Sequence, residues 1–259
     1  MTAGTTGSAA LAPARPAGWA RRNRDLIATP VLVVVGLGLV LLYVSTRQLD
    51  SVERRALDPS YLWDRFLEHI WLAGASTVLV IALALPLGIL LSRPAVGRAR
   101  TGTLAFGGFM QALPPYGVII LLAFLLGFGP TTAIIALVLA SFLPVLTNTV
   151  VGLQQVDPAL IEAARGMGMS ARQTLWRVEI PLAVPVMVAG IRVALVLGVG
   201  TATLATFIGA GGLGQPIDSM LKLGRPEAAF VVSALVAAVA LLIDWLAGVA
   251  ERLVGGRTG

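Results

Sequence analysis

The chain has 259 residues, of which 57% are hydrophobic and only 12% are charged, and its formal net charge is +6. Globular domains carry about 25% charged residues, so this composition excludes a water-soluble protein built around one apolar core. The basic surplus is better explained as a signal of membrane topology than as a surface for nucleic acid. Because the sequence contains no cysteine, disulfides and thiol chemistry are excluded as well.

Six apolar segments are each long enough to cross a hydrocarbon layer of about 30 Å as a helix. None of them alternates polar and apolar residues, which is the pattern that a membrane-spanning β-strand requires. The sequence therefore predicts an all-α polytopic membrane protein with six transmembrane helices. The predicted spans are Leu26–Val44, Leu72–Ser92, Leu104–Leu126, Thr131–Leu153, Leu182–Ile208 and Ala228–Ala247.

The N-terminal residues lead into the first span. Residues 1–25 are rich in Thr, Ala, Gly and Pro without an apolar period, and we expect a disordered cytoplasmic tail there. The basic cluster Arg21–Arg24 before the span is also typical of a secretory signal peptide. However, the apolar run is longer than such a signal needs, and no small-residue cleavage site follows it. Residues 26–44 are therefore predicted to remain as an N-terminal transmembrane anchor.

Three further regions complete the predicted organisation. Residues 45–71 form the longest external loop, and within it Trp63 and Trp71 belong to an apolar pattern with helical spacing. Indole rings favour the headgroup region of a bilayer, so a short helix lying in the interface is predicted here. Residues 72–247 are predicted to form the main transmembrane domain, and residues 248–259 a second cytoplasmic tail.

The positions of the basic residues predict the orientation in the membrane. Twelve of the 19 Lys and Arg residues lie in the two tails and in one alternate set of loops, six lie in the other set, and Arg192 lies inside a span. Cytoplasmic loops carry the excess of basic residues in membrane proteins. Both termini are therefore predicted to be cytoplasmic, together with the loop formed by residues 154–181.

The loop of residues 154–181 carries the most informative local pattern. Asp157 and Pro158 have the order of a helix N-cap and a first-turn proline, so a helix is predicted from here to about Met167. Gly168 follows at the end of this helix. Its backbone adopts positive φ without steric strain, so a turn is predicted at this residue.

A second short helix is predicted after this turn. Ser170 and Gln173 have the spacing of a capping box, and the helix is expected to end before Pro181. The result is a helix–turn–helix loop on which Glu162 and Arg165 present charge three residues apart. From spacing alone, an amphipathic linker between spans and a docking surface for a soluble protein are both open.

One continuous motif runs through this loop: Glu162-Ala163-Ala164, three residues, Gly168, nine residues, and Val178-Glu179-Ile180-Pro181. The motif resembles the signature loop, or EAA loop, of permease subunits of type I binding-protein-dependent ABC importers. The pattern of that family has Ile and Leu where this chain has Val178 and Ile180, and all four are apolar. The resemblance implies that the residues in contact with separate ATPase subunits are Glu162, Ala163, Ala164, Gly168 and Pro181.

Two glycine-rich stretches indicate which branch of the family this chain resembles. Gly200–Ala205 and Phe207–Gly214 resemble the branch of the family that imports osmoprotectants such as glycine betaine, choline and carnitine. The methionine-importer branch shares part of the second stretch, so a permease for an amino acid such as methionine is the alternative.

The resemblance also implies an architecture and a set of partners. The expected fold is that of a type I permease in a bacterial inner membrane, with an N-terminal span added to a five-helix core. The expected partners are ATPase subunits on the cytoplasmic side, an extracytoplasmic substrate-binding protein and a second permease subunit, either identical or related. Neither a cofactor nor catalytic activity is expected in this chain.

Polar groups inside the predicted spans indicate a candidate translocation path. Gln111 and Tyr116 flank a break at Pro114-Pro115 in the third span, where freed carbonyl groups must face protein or water. Small polar residues also mediate contacts between helices, so helix packing is the alternative explanation. The candidate path residues are Gln111, Tyr116, Thr201, Thr203 and Thr206.

Arg192 is the only basic residue inside a predicted span. A charge at the bilayer centre costs about 2.5–3.5 kcal/mol on insertion scales, so this residue needs a partner or a role. Snorkelling or internal pairing on the one hand, and a gating function on the other, are both open.

The sequence contains few residues that could support other kinds of binding or catalytic site. Gly209-x-Gly211-x-x-Gly214 has the spacing of a dinucleotide-binding motif, but no soluble βαβ unit surrounds it. Lys222 is the only lysine and is followed by leucine, so no Walker A phosphate-binding loop can form. With His69 as the only histidine and no cysteine, neither a metal site nor a histidine-containing triad is expected.

Two functions of other classes are considered beside the permease. A single-chain secondary transporter or channel predicts paired intramembrane carboxylates or repeated halves, and the sequence shows neither clearly. A membrane enzyme needs a nucleophile activated by a base, and no such pair is evident.

Overall fold

The computed structural model describes residues 24–255, with side chains from residue 27 to residue 253. Within these limits the secondary structure is helical and contains no strand, which confirms the all-α prediction. Residues 1–23 of the predicted N-terminal tail lie outside the described residues, as do residues 256–259. Residues 248–255 continue the last helix, so the predicted cytoplasmic tail begins within this helix. A single glycine at position 248 does not end a helix.

The described helices are numbered here in chain order. The long helices are α1 (Arg24–Ser45), α3 (Pro59–Leu91), α6 (Pro130–Gln154), α9 (Ile180–Ala202) and α11 (Pro226–Gly255). The shorter helices are α2 (Ser51–Ala56), α4 (Gly97–Ala112), α5 (Pro115–Leu126), α7 (Pro158–Gly166), α8 (Ala171–Thr174) and α10 (Gly214–Lys222). The chain also forms 3₁₀ turns at Pro94–Val96 and Thr203–Ile208 and a π turn at Leu175–Glu179.

Five helical segments of the described chain are long and apolar enough to cross a membrane, and a sixth crossing requires α4 and α5 together. These two helices meet at an angle of 98°, so the third predicted span is not a straight helix. Pro114 holds Leu113 in an extended conformation, and Pro115 has no N–H to donate to the preceding turn. The expected break at this dipeptide is therefore present, and it redirects the chain.

Helix α3 is one continuous helix of 33 residues, so the prediction of a separate interfacial helix around Trp63 and Trp71 is wrong. A helix of this length measures about 50 Å, roughly 20 Å more than the hydrocarbon layer. Asp58 starts it, because its side chain accepts hydrogen bonds from the backbone N–H groups of Ser60 and Tyr61. No proline separates this first part from the apolar residues that follow, so the two predicted elements merge.

The second helix of the loop does not end before Pro181, contrary to the prediction. Helix α8 continues through the π turn directly into α9. In an α-helix, the N–H of residue 181 would donate to the carbonyl of Arg177, and proline has no N–H. The N–H of Ile180 instead donates to the carbonyl of Leu175, five residues earlier, and the helix passes Pro181 without a break.

Helices α3, α6 and α9 pack closely because glycines on two of them face larger side chains of α6. A methyl group on Gly88 of α3 would lie 2.7 Å from Thr149, and one on Gly190 of α9 would lie 2.7 Å from Asn148. Lipid tails provide no hydrophobic driving force for helix association, so close van der Waals contact is what stabilises such a bundle.

The loops divide between two ends of the bundle. The motif end holds residues 92–97 and 155–179, and the opposite end holds residues 46–58, 127–129 and 209–225. This alternation is what consecutive membrane crossings require when α4 and α5 count as one. Arg225 forms ion pairs with Asp50 and Glu53, which tie α2 to the turn between α10 and α11 at the opposite end.

Arg192 forms an ion-pair network between α9 and α11. Its Nε and Nη2 atoms lie 2.7 and 2.8 Å from the two carboxylate oxygens of Asp244, and its Nη1 atom lies 3.1 Å from Glu251. Gly248 lies between these acids on α11, and a methyl group there would come within 2.9 Å of the guanidinium. Internal pairing, the structural alternative for Arg192, is therefore present.

The ion pair leads to a stability prediction. Asp244→Ala is expected to lower the free energy of unfolding by about 1–3 kcal/mol, because it leaves a partly buried guanidinium without its bidentate partner. Thermal unfolding in detergent, followed by size-exclusion chromatography, measures the change. Removing all three charges of the network in Arg192→Leu/Asp244→Leu/Glu251→Gln should recover most of the loss.

A matched control is the pair Asp218–Lys222, in which the lysine side chain is 70% exposed. Asp218→Ala should cost at most about 0.5 kcal/mol, since exposed pairs one helical turn apart contribute little. If Asp244→Ala destabilises the protein no more than Asp218→Ala does, the network does not stabilise the fold.

Candidate functional site

The turn after α7 has the geometry that its sequence predicts. Asp157 caps the helix by accepting a hydrogen bond from the N–H of Ala159 at 2.9 Å. Gly168 has φ of +85°, in the region that favours glycine. The N–H of Gly168 donates a hydrogen bond to the carbonyl of Arg165, and the N–H of Met169 donates one to the carbonyl of Ala164. This pair of bonds is a Schellman motif, which closes the helix end.

The predicted capping box at the start of α8 is also present. The Ser170 hydroxyl accepts a hydrogen bond from the N–H of Gln173 at 3.3 Å, and the Gln173 side chain accepts one from the N–H of Ser170 at 2.8 Å. Both turns of the loop are therefore held by local hydrogen bonds. The direction in which α7 and α8 point is determined by this backbone geometry.

One face of α7 anchors the loop to the membrane-spanning helices. Ala164 is 1% exposed, and Ile161 packs against a buried cluster formed by Leu153 and Val156 with Ala183 and Met187 of α9. The loop is therefore packed against the ends of α6 and α9.

The other face of α7 is exposed and partly apolar. Glu162 and Ala163 are exposed, as are Gly168 and Pro181 elsewhere in the motif. Leu160 and Met167 are 47% and 73% exposed, and with Ala163 they follow the i, i+3, i+7 spacing of one helical face. Leu160 and Met167 are not among the predicted contact residues of the loop, although this spacing could have revealed them.

An ion pair joins the loop to the end of α3. Glu179 is 4% exposed, and its carboxylate lies 2.6 Å from Nη2 of Arg93. The same guanidinium donates to the hydroxyl of Ser92. From the sequence alone, Arg93 contributes only to the predicted orientation in the membrane, because its partner Glu179 lies far away in the sequence. The ion pair ties α3, α8 and α9 together at the motif end.

Two of the five candidate path residues line one cavity. Gln111 and Thr201 face a cavity of about 130 Å³ at the break between α4 and α5, together with Pro115, Ala140 and Leu197. All the lining residues are uncharged. The cavity therefore offers an amide and a hydroxyl inside an otherwise apolar wall, which suits a small polar solute.

The other three candidates occupy different positions. Tyr116 packs edge to face against Phe207, a residue that the sequence analysis did not single out, with ring centroids 5.0 Å apart. Thr203 has a buried hydroxyl without a hydrogen-bond partner among the described residues. Thr206 is half-buried in the same 3₁₀ turn, and its carbonyl accepts a hydrogen bond from Gly209.

The glycine-rich segment at the opposite end is clasped by α3. Glu68 accepts a hydrogen bond from the N–H of Gly212 at 2.9 Å and pairs with Arg65 at 2.8 Å. His69 is fully buried, and its Nε2 atom lies 3.0 Å from the carbonyl of Val199. The chain changes from α to 3₁₀ geometry at Thr203. The N–H of Thr203 donates to the carbonyls of Gly200 and Thr201, which leaves the carbonyl of Val199 free for His69. His69 thus orients the end of α9.

Among the described residues, no group of three or more histidine and acidic side chains could hold a metal ion. What the described chain does offer is a bundle of membrane-spanning helices, an uncharged and mostly apolar cavity between them with two polar side chains, and an exposed loop fixed firmly to one end. This combination defines a membrane permease whose loop is available to a partner protein.

The family of this permease is established by comparison with known proteins. The chain belongs to the binding-protein-dependent transport system inner membrane component family, whose profile matches residues 84–256. The resemblance carried by the EAA motif is thereby confirmed. The first helix, α1, lies outside the matched range.

Two relatives illustrate the similarity. The glycine betaine/carnitine/choline transport system permease protein OpuCB of Bacillus subtilis (strain 168) is 39% identical over 187 residues, covering 72% of this chain and 85% of that protein. The osmoprotectant import permease protein OsmY of Salmonella typhimurium (strain LT2) is 38% identical over 213 residues, covering 82% of this chain and 89% of that protein.

A solved structure shows the same fold. The inward-facing MetNI methionine ABC transporter matches with a TM-score of 0.67 at 23% identity, over 74% of this chain and 95% of that one. At this identity the match concerns architecture only. It confirms the predicted type I permease fold.

Proposed function

We propose that this chain is one transmembrane half of an importer for a betaine-type osmoprotectant, such as glycine betaine, choline or carnitine. The observation that carries the proposal is the 38–39% identity, over most of the chain, to permeases named for these compounds. ATP is hydrolysed by separate ATPase subunits, and an extracytoplasmic binding protein delivers the substrate. A second permease subunit, identical or related, completes the pathway.

The ATPase subunits dock on the exposed face of the coupling loop, residues 154–181. The apolar stripe of Leu160, Ala163 and Met167 provides contact area, and Glu162 provides a charge beside it. Glu179 and Ile161 transmit movement, because they fix the loop to α3, α6 and α9. Closure of the ATPase pair then shifts the spans as a rigid unit, and access to the cavity alternates between the two sides.

Substrate passes through the cavity at the break between α4 and α5. Gln111 and Thr201 provide hydrogen bonds there, and Tyr116, Thr203 and Thr206 lie on the elements that surround the break. Arg192 has a structural role in this scheme, because Asp244 and Glu251 occupy its donors.

The motif end faces the cytoplasm, and both termini lie on that side of the inner membrane. The support for this orientation is the distribution of basic residues, of which twelve of 19 lie outside the predicted spans on the same side as the motif. It places the coupling loop where ATP is available and the glycine-rich segment where a binding protein can reach it.

The orientation predicts the labelling of two single cysteines. Ala171 at the motif end and Ser51 at the opposite end are both exposed, and the chain contains no native cysteine. In intact cells a membrane-impermeant thiol reagent should label Ser51→Cys and spare Ala171→Cys, which should react only after lysis. The reverse pattern would overturn the proposed orientation.

Coupling can be tested at the turn between α7 and α8. Gly168→Val is expected to abolish ATP-driven uptake and to weaken co-purification of the ATPase, because a branched residue at φ of +85° strains the backbone by about 1–3 kcal/mol. The spans should still insert, since insertion depends on apolar length and loop charge. Glu162→Lys should impair the same step by reversing a surface charge.

Two controls match these variants. Gly166→Ala changes a glycine in helical conformation with open space around it, and Asp64→Lys reverses an exposed acid on α3 near the opposite end. Both should retain uptake and ATPase binding. Retention of both properties by Gly168→Val as well would favour the simple linker interpretation of the loop.

The substrate proposal is tested with the complete complex in proteoliposomes. Uptake of labelled glycine betaine should require ATP and the binding protein, and excess choline or carnitine should compete with it if all three share the system. Labelled methionine serves as the comparison. A complex that imports methionine and ignores betaines would replace the proposed substrate by the amino-acid alternative.

A further inference from the structure

We propose that Tyr116 and Phe207 form an aromatic contact site for the quaternary ammonium group of the substrate inside the permease. The inference rests on the proposed function, because it requires a substrate that carries such a group. It assigns a chemical role to a ring pair on the translocation path, separate from recognition by the external binding protein.

The two rings meet where the break between α4 and α5 approaches the end of α9. Tyr116 is the second residue of α5, and Phe207 lies in the 3₁₀ turn after α9. Their planes are at 89°, with centroids 5.0 Å apart. The elements that carry them are held by a buried cluster that includes Ile119 and Ala205. The rings themselves are 49% and 39% exposed, so part of each ring surface is not covered by the rest of this chain.

An edge-to-face pair suits a cation in a particular way. The faces of aromatic rings carry negative electrostatic potential and attract quaternary ammonium groups, as in aromatic cages for choline and methyl-lysine. Two perpendicular rings form a corner, which contacts the methyl groups from two directions. A corner binds more weakly than a closed cage, and a site on a transport path must release its ligand quickly.

The adjoining cavity suits the other end of a betaine. Pro115, the neighbour of Tyr116, lines this cavity together with Gln111 and Thr201. The side-chain amide and hydroxyl of these two residues can donate hydrogen bonds to a carboxylate. Because all the lining residues are uncharged, the site attracts both ends of a zwitterion without a fixed charge that would trap it.

The chain provides a matched control for this pair. Phe124 and Phe128 form a second edge-to-face pair near the far end of α5, with centroids 6.2 Å apart and planes at 78°. Both rings are strongly exposed, and no chain neighbour of either residue lines the cavity, whereas Pro115 beside Tyr116 does. They share the ring geometry of Tyr116 and Phe207 but lack the neighbouring polar groups.

The test measures ATP-driven glycine betaine uptake by the complete complex in proteoliposomes supplied with the binding protein. Tyr116→Leu and Phe207→Leu preserve apolar bulk and remove the π face, and each should lower the maximal uptake rate about three- to thirtyfold. Tyr116→Phe and Phe207→Tyr keep an aromatic ring, so each should retain most of the parent uptake rate. Stimulation of ATP hydrolysis by the binding protein should persist, and Phe128→Leu should transport like the parent protein.

Graded fluorination separates π attraction from packing. Phenylalanine with increasing fluorine substitution, incorporated at position 207, keeps the ring shape and progressively weakens the face potential. The uptake rate should fall with each added fluorine. A rate independent of fluorination would overturn the inference, as would leucine variants that transport no worse than Phe128→Leu. The parent complex in the same assay tests the proposed function separately, since failure of betaine uptake there refutes the substrate before any ring variant is compared.

Discussion

The close approach of α3, α6 and α9 is the constraint on which the other features depend. Helices in lipid gain nothing from hiding apolar surface from one another, so their association requires backbone contact that small residues allow. Gly88 and Gly190 provide that contact on both sides of α6, against Thr149 and Asn148. The coupling loop is fixed to the ends of these three helices. The cavity lies where α6 and α9 meet α4 and α5, so its position depends on the same packing.

The motif end shows how the packing reaches the loop. Glu179 sits almost fully buried in the π turn, and its pairing with Arg93 joins the two ends of chain that enter α9 and leave α3. Ala164 of α7 is almost fully buried as well. Packed interfaces of this kind switch between discrete arrangements and do not deform gradually. We therefore expect a displacement of α7 to reach the spans directly.

Local sequence patterns predicted local structure well. The cap at Asp157, the positive φ of Gly168 and the capping box at Ser170 depend only on neighbouring residues, and all three are present. Apolar length likewise predicted the membrane crossings, because the hydrocarbon layer sets a minimum that composition alone satisfies.

The predictions were wrong, or fell short, where distant residues decide. The interfacial helix merged into α3 because nothing interrupts the chain near Trp71. The sequence predicted that the second helix of the loop ends before Pro181, whereas a π turn allows the helix to continue past this residue. The pairing of Arg93 with Glu179 and the contact of Tyr116 with Phe207 join residues far apart in the chain, and no local spacing indicates them.

The π turn has a consequence for the length of the motif. A π turn contains one residue more than α-helical pairing over the same path would need, and each helical residue rotates the chain by about 100°. Deleting one residue from Leu175–Glu179 would therefore restore α-helical pairing over nearly the same path, and α8 would keep its direction relative to α9. Pro181 would then lie inside a regular helix, where its ring clashes with the carbonyl four residues earlier. An extra residue within a regular helix would instead rotate α8, with α7 before it, by about 100°. The π turn thus accommodates both Pro181 and the nine residues between Gly168 and Val178 without changing the direction of the exposed stripe from Leu160 to Met167.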